Sequence, residues 1–206
     1  MEQAYKTIPA LGTDECVIKK SRFIGQVLPV TTAEEATAFV SEIKRKHWDA
    51  RHNVWAYVLR DGQRRYSDDG EPQGTAGMPV LDVLQKGGLM DCVVVVTRYF
   101  GGVLLGASGL VRAYTGACKA AIDAAGIVTM APTKTLQIKS DYSFYGKLQT
   151  LVPLYDGVVL NTEFGEQVVT ELRLEAGQAE QFSAKLVDAS NGIVHAEVVA
   201  AGFAAL

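Results

Sequence analysis

The run Cys92-Val93-Val94-Val95-Val96 is apolar at every position and β-branched after its first residue. A run this short and this uniform fits a strand buried on both faces, so the fold has to cover it from two sides. It leads into Thr97-Arg98-Tyr99-Phe100-Gly101-Gly102. The strand is therefore expected to deliver Thr97, Arg98 and Tyr99 to its carboxyl end, where two glycines permit a tight turn.

The neighbouring elements follow from periodicity and end signals. Arg22 to Val30 reads as a β-rich run ended by Pro29, and Thr32 with Glu35 makes a capping box for a helix. That helix carries Ala36, Phe39, Val40 and Ile43 on its apolar face and ends near His47. Glu34 and Glu35 in its first turn, with Lys44, Arg45 and Lys46 in its last, complement the helix dipole, so this basic cluster has a structural use of its own. His52 to Arg60 reads as a strand, and Asp61-Gly62 as the hairpin turn leading into Arg64-Arg65-Tyr66. Ser67 to Gly77 is dense in turn formers and predicts an irregular surface loop. Pro79 opens a short helix stopped by Gly87-Gly88, and Gly109 to Gly126 predicts a helix whose small-residue face permits close packing on a sheet.

Ala131-Pro132-Thr133 is expected to break the pattern. Beyond it the order is strand (Thr135 to Asp141), helix (Phe144 to Val152), strand (Gly157 to Thr162), strand (Gln167 to Glu175), helix (Gln178 to Ser190) and strand (Ile193 to Val199). This βαββαβ order predicts a ferredoxin-like domain, and so an α+β chain divided into residues 1–131 and 132–206. Charge divides the same way: through Lys134 there are 16 basic against 14 acidic residues, net +2, and beyond it 4 against 9, net −5.

With 206 residues, 48% of them hydrophobic, the chain has enough apolar material for a proper core. A net charge of −3 argues against a membrane or nucleic-acid binder that uses its whole surface, and leaves a local basic face open. Cys16, Cys92 and Cys118 are odd in number, form no CxxC pair and lie among apolar or small residues, which points to reduced, buried thiols and a cytoplasmic location. Met1 to Thr13 lacks the pattern of a signal peptide, and no apolar run reaches membrane-spanning length, so neither export nor insertion is expected.

Three groups of residues carry candidate chemistry. The loop Gly101 to Gly109 precedes a helix, so backbone amides and the positive dipole end would receive an anion, with Arg98 and Lys119 as charge partners; the glycines would equally serve only a tight turn. No GK[ST] follows and no GxGxxG is present after the strand, so nucleotide hydrolysis is unsupported. Asp68, Asp69 and Glu71 are clustered carboxylates suited to a divalent cation or to acid–base work, and equally to capping a turn. Between Lys44 and Arg65, seven basic residues including Arg64 and Arg65 stand against two acidic ones, interleaved with Trp48, Trp55, Tyr57 and Tyr66. That mixture is the footprint of RNA or single-stranded nucleic acid, or else a core stripe with a solvated face. His47, His52 and His195 are too scattered to read as a zinc set or a catalytic triad, and His52 alone lies near the candidate loops.

Several of these segments together resemble the IMPACT/YigZ family: Ser67-Asp-Asp-Gly-Glu-Pro72, Gly74-Thr-Ala-Gly77, Gly77-Met-Pro-Val-Leu, Val93 to Val96, Arg98-Tyr-Phe-Gly-Gly102 and Leu104-Leu-Gly106. The resemblance extends over the chain, although residues 135–206 carry no sharp motif. It implies a first domain similar to the ribonuclease PH-like fold of domain IV of elongation factor G, and a second similar to that factor's ferredoxin-like domains. It also implies a link to translation. Eukaryotic relatives regulate translation by competing for the activator of an initiation-factor kinase through an additional N-terminal domain, for which no counterpart is expected here. The resemblance establishes no catalytic residue and implies no cofactor.

The leading expectation is a binding protein that contacts RNA, the ribosome or a translation factor through His52, Arg64, Arg65, Arg98, Tyr99, Gly101, Gly102 and Lys119. No DNA specificity and no membrane association are expected. The alternatives are a metal-assisted hydrolase using Asp68, Asp69 and Glu71 with His52 as acid or base, and a protein-interaction adaptor.

Overall fold

The structure, a computed structural model, describes residues 3–205. It is a mixed α/β chain with antiparallel sheets, and it separates into two compact units: Tyr5–Thr129, and residues 130–205 with residues 3–4.

The first unit runs β1 (Tyr5–Thr7), β2 (Gly12–Ile18), β3 (Ser21–Pro29), α1 (Ala33–Lys46), β4 (His52–Val58), β5 (Arg64–Ser67), α2 (Gly77–Lys86), β6 (Cys92–Tyr99) and α3 (Ala107–Ala125). Strands β2 to β6 form one sheet in the order β2-β3-β6-β4-β5, each neighbour antiparallel. The valine run is its central strand, and Cys92 to Val96 are fully buried. Val93 and Val95 pack among Phe39, Val40 and Ile43 of α1, while Val94 and Val96 pack among Val80 and Leu84 of α2 and Leu110 and Tyr114 of α3. Helices on both faces are why this strand shows no polar alternation.

Local chemistry fixes these elements. Thr32 Oγ1 accepts the Glu35 amide at 3.2 Å, as a capping residue should, whereas the Glu35 carboxylate reaches back one residue further than the box requires and accepts the Thr31 amide at 2.7 Å. The small face of α3 brings its backbone against the sheet: a Cβ on Gly25 would collide with the Ala117 carbonyl, and one on Gly12 with the Ala121 carbonyl. Strand β2, for which the sequence offers no periodic signal, is an exposed edge paired to β3 through a turn at Lys19 and Lys20, both at positive φ.

The second unit contains β7 (Val128–Ser140), α4 (Tyr142–Leu151), a 3-10 turn (Val152–Tyr155), β8 (Val158–Phe164), β9 (Val168–Glu175), α5 (Ala176–Ala189) and β10 (Ala196–Ala205). Its strand order is β10-β7-β9-β8, antiparallel throughout. Leu136, Ile138, Leu172 and Leu174 face Leu148, Phe182 and Leu186 of the two helices. The break expected at Ala131-Pro132-Thr133 does not occur, because β7 continues through it. Pro132 is in register with Phe203 of β10, one residue before the β9 ladder begins at Thr133, so that ladder makes no use of the missing amide. Strand β10 likewise extends to Ala205, beyond the Val199 end suggested by the sequence. Among the described residues no helix is long and apolar enough to cross a membrane.

Candidate functional site

The site lies at the end of the first sheet where β6 stops. Arg22 of β3 is in register with Tyr99, and His52 of β4 with Arg98, so the first residues of two flanking strands meet the last residues of the central one. Side chains alternate along β6. Arg98 follows Val94 and Val96 towards α3, whereas Tyr99 follows Val93 and Val95 towards the end of α1, where its hydroxyl lies 2.9 Å from His47 Nδ1.

Arg98 is buried, and its Nη1 donates to Glu71 Oε1 at 2.6 Å. The same oxygen accepts the Tyr114 hydroxyl at 2.7 Å. Tyr114 is itself fully buried and stands edge-on to Phe23, with ring centroids 5.3 Å apart. Burial, and then the hydrogen bond to Glu71, raise its phenol far above the ordinary range, so it keeps its proton and acts as a donor. Arg98 Nη2 reaches Ser21 Oγ at 3.4 Å, and Ser21 Oγ also accepts the Gly101 amide at 3.2 Å. Arg98 Nε is buried without a hydrogen-bond partner among the described residues. His52 Nδ1 lies 2.8 Å from the Asp69 carbonyl, which requires the proton on that nitrogen; Nε2 then faces Glu71 Oε1 at 3.7 Å.

The acidic loop is built around Asp68. Its Oδ2 accepts the Gly74 amide at 2.9 Å, and its Oδ1 accepts the amides of Ala76 and Gly77 at 3.1 and 2.8 Å, which caps the start of α2. Asp69 accepts the Asn53 amide at 2.7 Å and the Lys44 ammonium at 2.6 Å. Each of the three carboxylates is thus directed at different protein donors, and among the described residues no three His, Cys, Asp or Glu side chains converge as metal ligands. The segment Asp68 to Ala76 is irregular, as its composition predicts, yet it holds the Glu71 side chain inside the domain.

A cleft of about 530 Å³ opens beside this cluster. His52, Glu71 and Arg98 line it, together with Phe100, Leu104, Leu105 and Leu110 and the first residues of α3. A second cleft contains Asp49, Tyr99 and Phe100, and Arg51 and Phe100 belong to both. The glycine loop therefore opens onto a groove rather than a closed pocket.

The sequence-predicted residues do not all meet here. His52, Glu71, Arg98, Tyr99, Gly101 and Gly102 gather at this end, with Asp68 and Asp69 behind them. Arg64 is in register with Val58 and Arg65 with Tyr57, at the other end of β4. Six strand steps of about 3.3 Å separate Val58 from His52, roughly 20 Å in all. Lys119 lines a different cavity, between α2 and α3, with Lys86, Asp82 and Asp123. Tyr57 is a core residue, and Trp55 stacks on it at 6.0 Å. Lys19, Lys20 and Arg22 are further cations at this end, and no motif points to them. Their signal is the local run Lys19-Lys20-Ser21-Arg22, whose importance depends on the register that sets the turn against Gly101, where a Cβ would collide with the Lys20 carbonyl.

Comparison with known proteins identifies the family. Residues 19–122 match the model of the Impact N-terminal domain, and residues 138–192 match a domain of unknown function, DUF1949. The IMPACT family member YvyE of Bacillus subtilis is 38% identical over 93% of this chain and 89% of that protein. The family member YigZ of Escherichia coli is also 38% identical, over 85% of this chain and 88% of that protein. Protein IMPACT of Mus musculus is 29% identical over 43% of this chain and 29% of that protein. A solved structure titled as a hypothetical protein is 34% identical, with a TM-score of 0.63 over 97% of this chain and 99% of that one. The match of the first unit's model, and of relatives along nearly their whole length, places the chain in the IMPACT family.

Proposed function

We propose that the chain is a non-catalytic binding protein linked to translation, which contacts RNA, the ribosome or a translation factor through its first unit. One observation carries the reading: cations collect at the β6 end of the sheet while the acidic loop beside them is turned inward. Lys19, Lys20, Arg45, Lys46 and Arg51 are exposed there and make no ion pair with a carboxylate among the described residues. Trp48 stands beside them, 82% exposed. Cations with exposed aromatic rings suit phosphate contacts and base stacking. The link to translation comes from the family resemblance.

The finer fold assignments belong to the same proposal. The order β10-β7-β9-β8 is 4-1-3-2 in the second unit's own strands and supports a ferredoxin-like domain. The first unit is assigned to the ribonuclease PH-like fold of elongation factor G domain IV by resemblance. Buried thiols at Cys92 and Cys118 support a reducing, cytoplasmic location. The hydrolase alternative finds no support in the acidic loop, where Asp68 and Asp69 hold backbone amides and Glu71 holds Arg98.

The test is binding of purified ribosomes and total RNA as a function of salt, for the wild type and for Lys19→Ala/Lys20→Ala. Salt-sensitive binding that weakens in the double variant is expected. Absence of binding to either at low salt would reject the proposal.

A further inference from the structure

We infer that the groove around Phe100 holds a single-stranded RNA segment, with one unstacked base against the Phe100 ring and the adjoining phosphate between Arg51 and the start of α3. This rests on the binding reading above and names the form of nucleic acid and the place that reads it.

Phe100 is 47% exposed although it follows the buried strand directly. Its ring is fixed from within, because the Arg98 guanidinium lies 5.4 Å from its centroid and is itself held by Glu71 and Ser21. A ring fixed in this way is a prepared stacking surface, since little side-chain freedom is left to lose on binding. Leu104, 82% exposed, and Leu105 extend the apolar floor of the same cleft. Leu105 is half-buried against the core, but an aromatic and a leucine as open as Phe100 and Leu104 are hard to explain as core, and they suit the face of a base.

Polar groups in the cleft are of the complementary kind. Arg98 is only 5% exposed, lines the cleft, and has a donor, Nε, that no group among the described residues accepts. His52 Nε2 lies too far from Glu71 for a hydrogen bond and stands at the cleft wall, placed to meet a base edge. Arg51 is common to both clefts that adjoin Phe100, so a strand passing the ring would meet its guanidinium. Helix α3 begins at Ala107 after Gly106, whose φ of 74° turns the chain sharply into the helix and whose missing side chain leaves the first turn uncapped. A phosphate there would complement the dipole.

The cleft's volume of about 530 Å³ falls within the range of small-molecule sites and suits one nucleotide at a time. Bases paired in a duplex cannot enter such a cleft, which makes strandedness the sharpest discriminator. A protein partner seated on the same apolar floor would need neither the phosphate nor the unpaired base.

The experiment is fluorescence anisotropy of the full chain with labelled octauridine, with an RNA hairpin duplex, and with octauridine plus Phe100→Ala, Phe100→Tyr, Arg51→Gln or Arg64→Gln, each variant first checked by thermal melting. Octauridine is expected to bind more tightly than the duplex. Phe100→Ala should weaken binding by about 5- to 150-fold, the range for one stacked base, and Phe100→Tyr should restore it. Arg51→Gln should lower the salt dependence by about one phosphate contact, and Arg64→Gln, at the far end of the sheet, should change neither quantity. Equal binding of duplex and single strand, or no effect of Phe100→Ala, would overturn the inference. If ribosomes bind but octauridine does not, the inference fails while the broader reading stands and a protein contact becomes its explanation. If neither binds, both fail.

Discussion

Glu71, from an irregular loop, and Arg98, from the end of the central strand, form an ion pair of 2.6 Å with side-chain exposures of only 3% and 6%. A buried pair is not in itself a source of net stability, because both charges have lost their water. It is a strong constraint on geometry, since neither partner tolerates the loss of the other. Through it the loop, the strand end and Tyr114 of α3 become one structure.

Arg98→Ala is therefore expected to destabilise the first unit by about 3–5 kcal/mol, the usual result of leaving one buried charge alone. Arg98→Met combined with Glu71→Leu should lose less than the sum of the two single changes. Tyr114→Phe removes one donor from the same oxygen and should lose about 1–3 kcal/mol. Urea unfolding measures all of these, and strict additivity of the pair would contradict the coupling.

Asp68→Ala leaves the amides of Gly74, Ala76 and Gly77 without their acceptor. A loss of about 1–2 kcal/mol is expected, the upper part of the range for a helix cap. The loop from Asp68 to Ala76 should also become a site of limited proteolysis. Cleavage no faster than in the wild type would show that other contacts hold the loop.

Gly25→Ala and Gly116→Ala should change stability in opposite directions. At Gly25 a methyl would run into the Ala117 carbonyl, which forces α3 off the sheet. Gly116 lies within α3, and an added Cβ would meet nothing within 4 Å. There the substitution restricts the unfolded chain and should gain about 0.4–1 kcal/mol. Thermal melting of the two variants provides the comparison.

Folding lowers the pKa of His47 below 6.5, first through burial and then through Lys46 and Arg22. The native state therefore resists a proton that the unfolded chain accepts. Stability should fall as pH drops through 6.5 and level off once pH lies below the folded pKa. His47→Gln should make the profile between pH 7 and 5 flatter than that of the wild type. An unchanged slope would assign that loss to other groups.

Burial pushes the Cys92 thiol up to about 12, and raises Cys118 further. At pH 8 both should resist alkylation in the folded protein and react on unfolding. Cys16, only partly covered, should be the first to be labelled. Mass spectrometry after iodoacetamide treatment distinguishes the three.

Elements whose signal is local are legible in the residue order. The valine run, the Thr32 cap and the small-residue face of α3 each depend on neighbours a few positions apart, and each forms as its spacing implies, although the Glu35 half of the capping box is displaced onto Thr31. Strand β2 is not legible there, because an exposed edge strand needs no alternation and its polar residues (Thr13 to Glu15) simply precede its apolar ones (Cys16 to Ile18). Continuation of β7 through Pro132 is hidden for a related reason: the proline's effect depends on which neighbouring ladder requires its amide. The acidic loop stands out by composition, but its carboxylates give no sign of which donors they meet.

Residue order alone dictates that a doubly covered strand ends at Arg98-Tyr99-Phe100 beside a glycine turn, and that a second unit of βαββαβ order follows. Hydrophobic period and turn chemistry act over a few residues, and they are written in the residues themselves. Which charges belong together is decided only by the folded arrangement. Strand register sets Lys19, Lys20, Arg22 and Arg51 at the β6 end and carries Arg64 and Arg65 to the opposite end, while the irregular loop turns Glu71 inward onto Arg98 and Tyr114. Electrostatic partners are chosen by distance in space, and the positions 27 and 43 residues apart that meet at Glu71 have no local pattern to announce them.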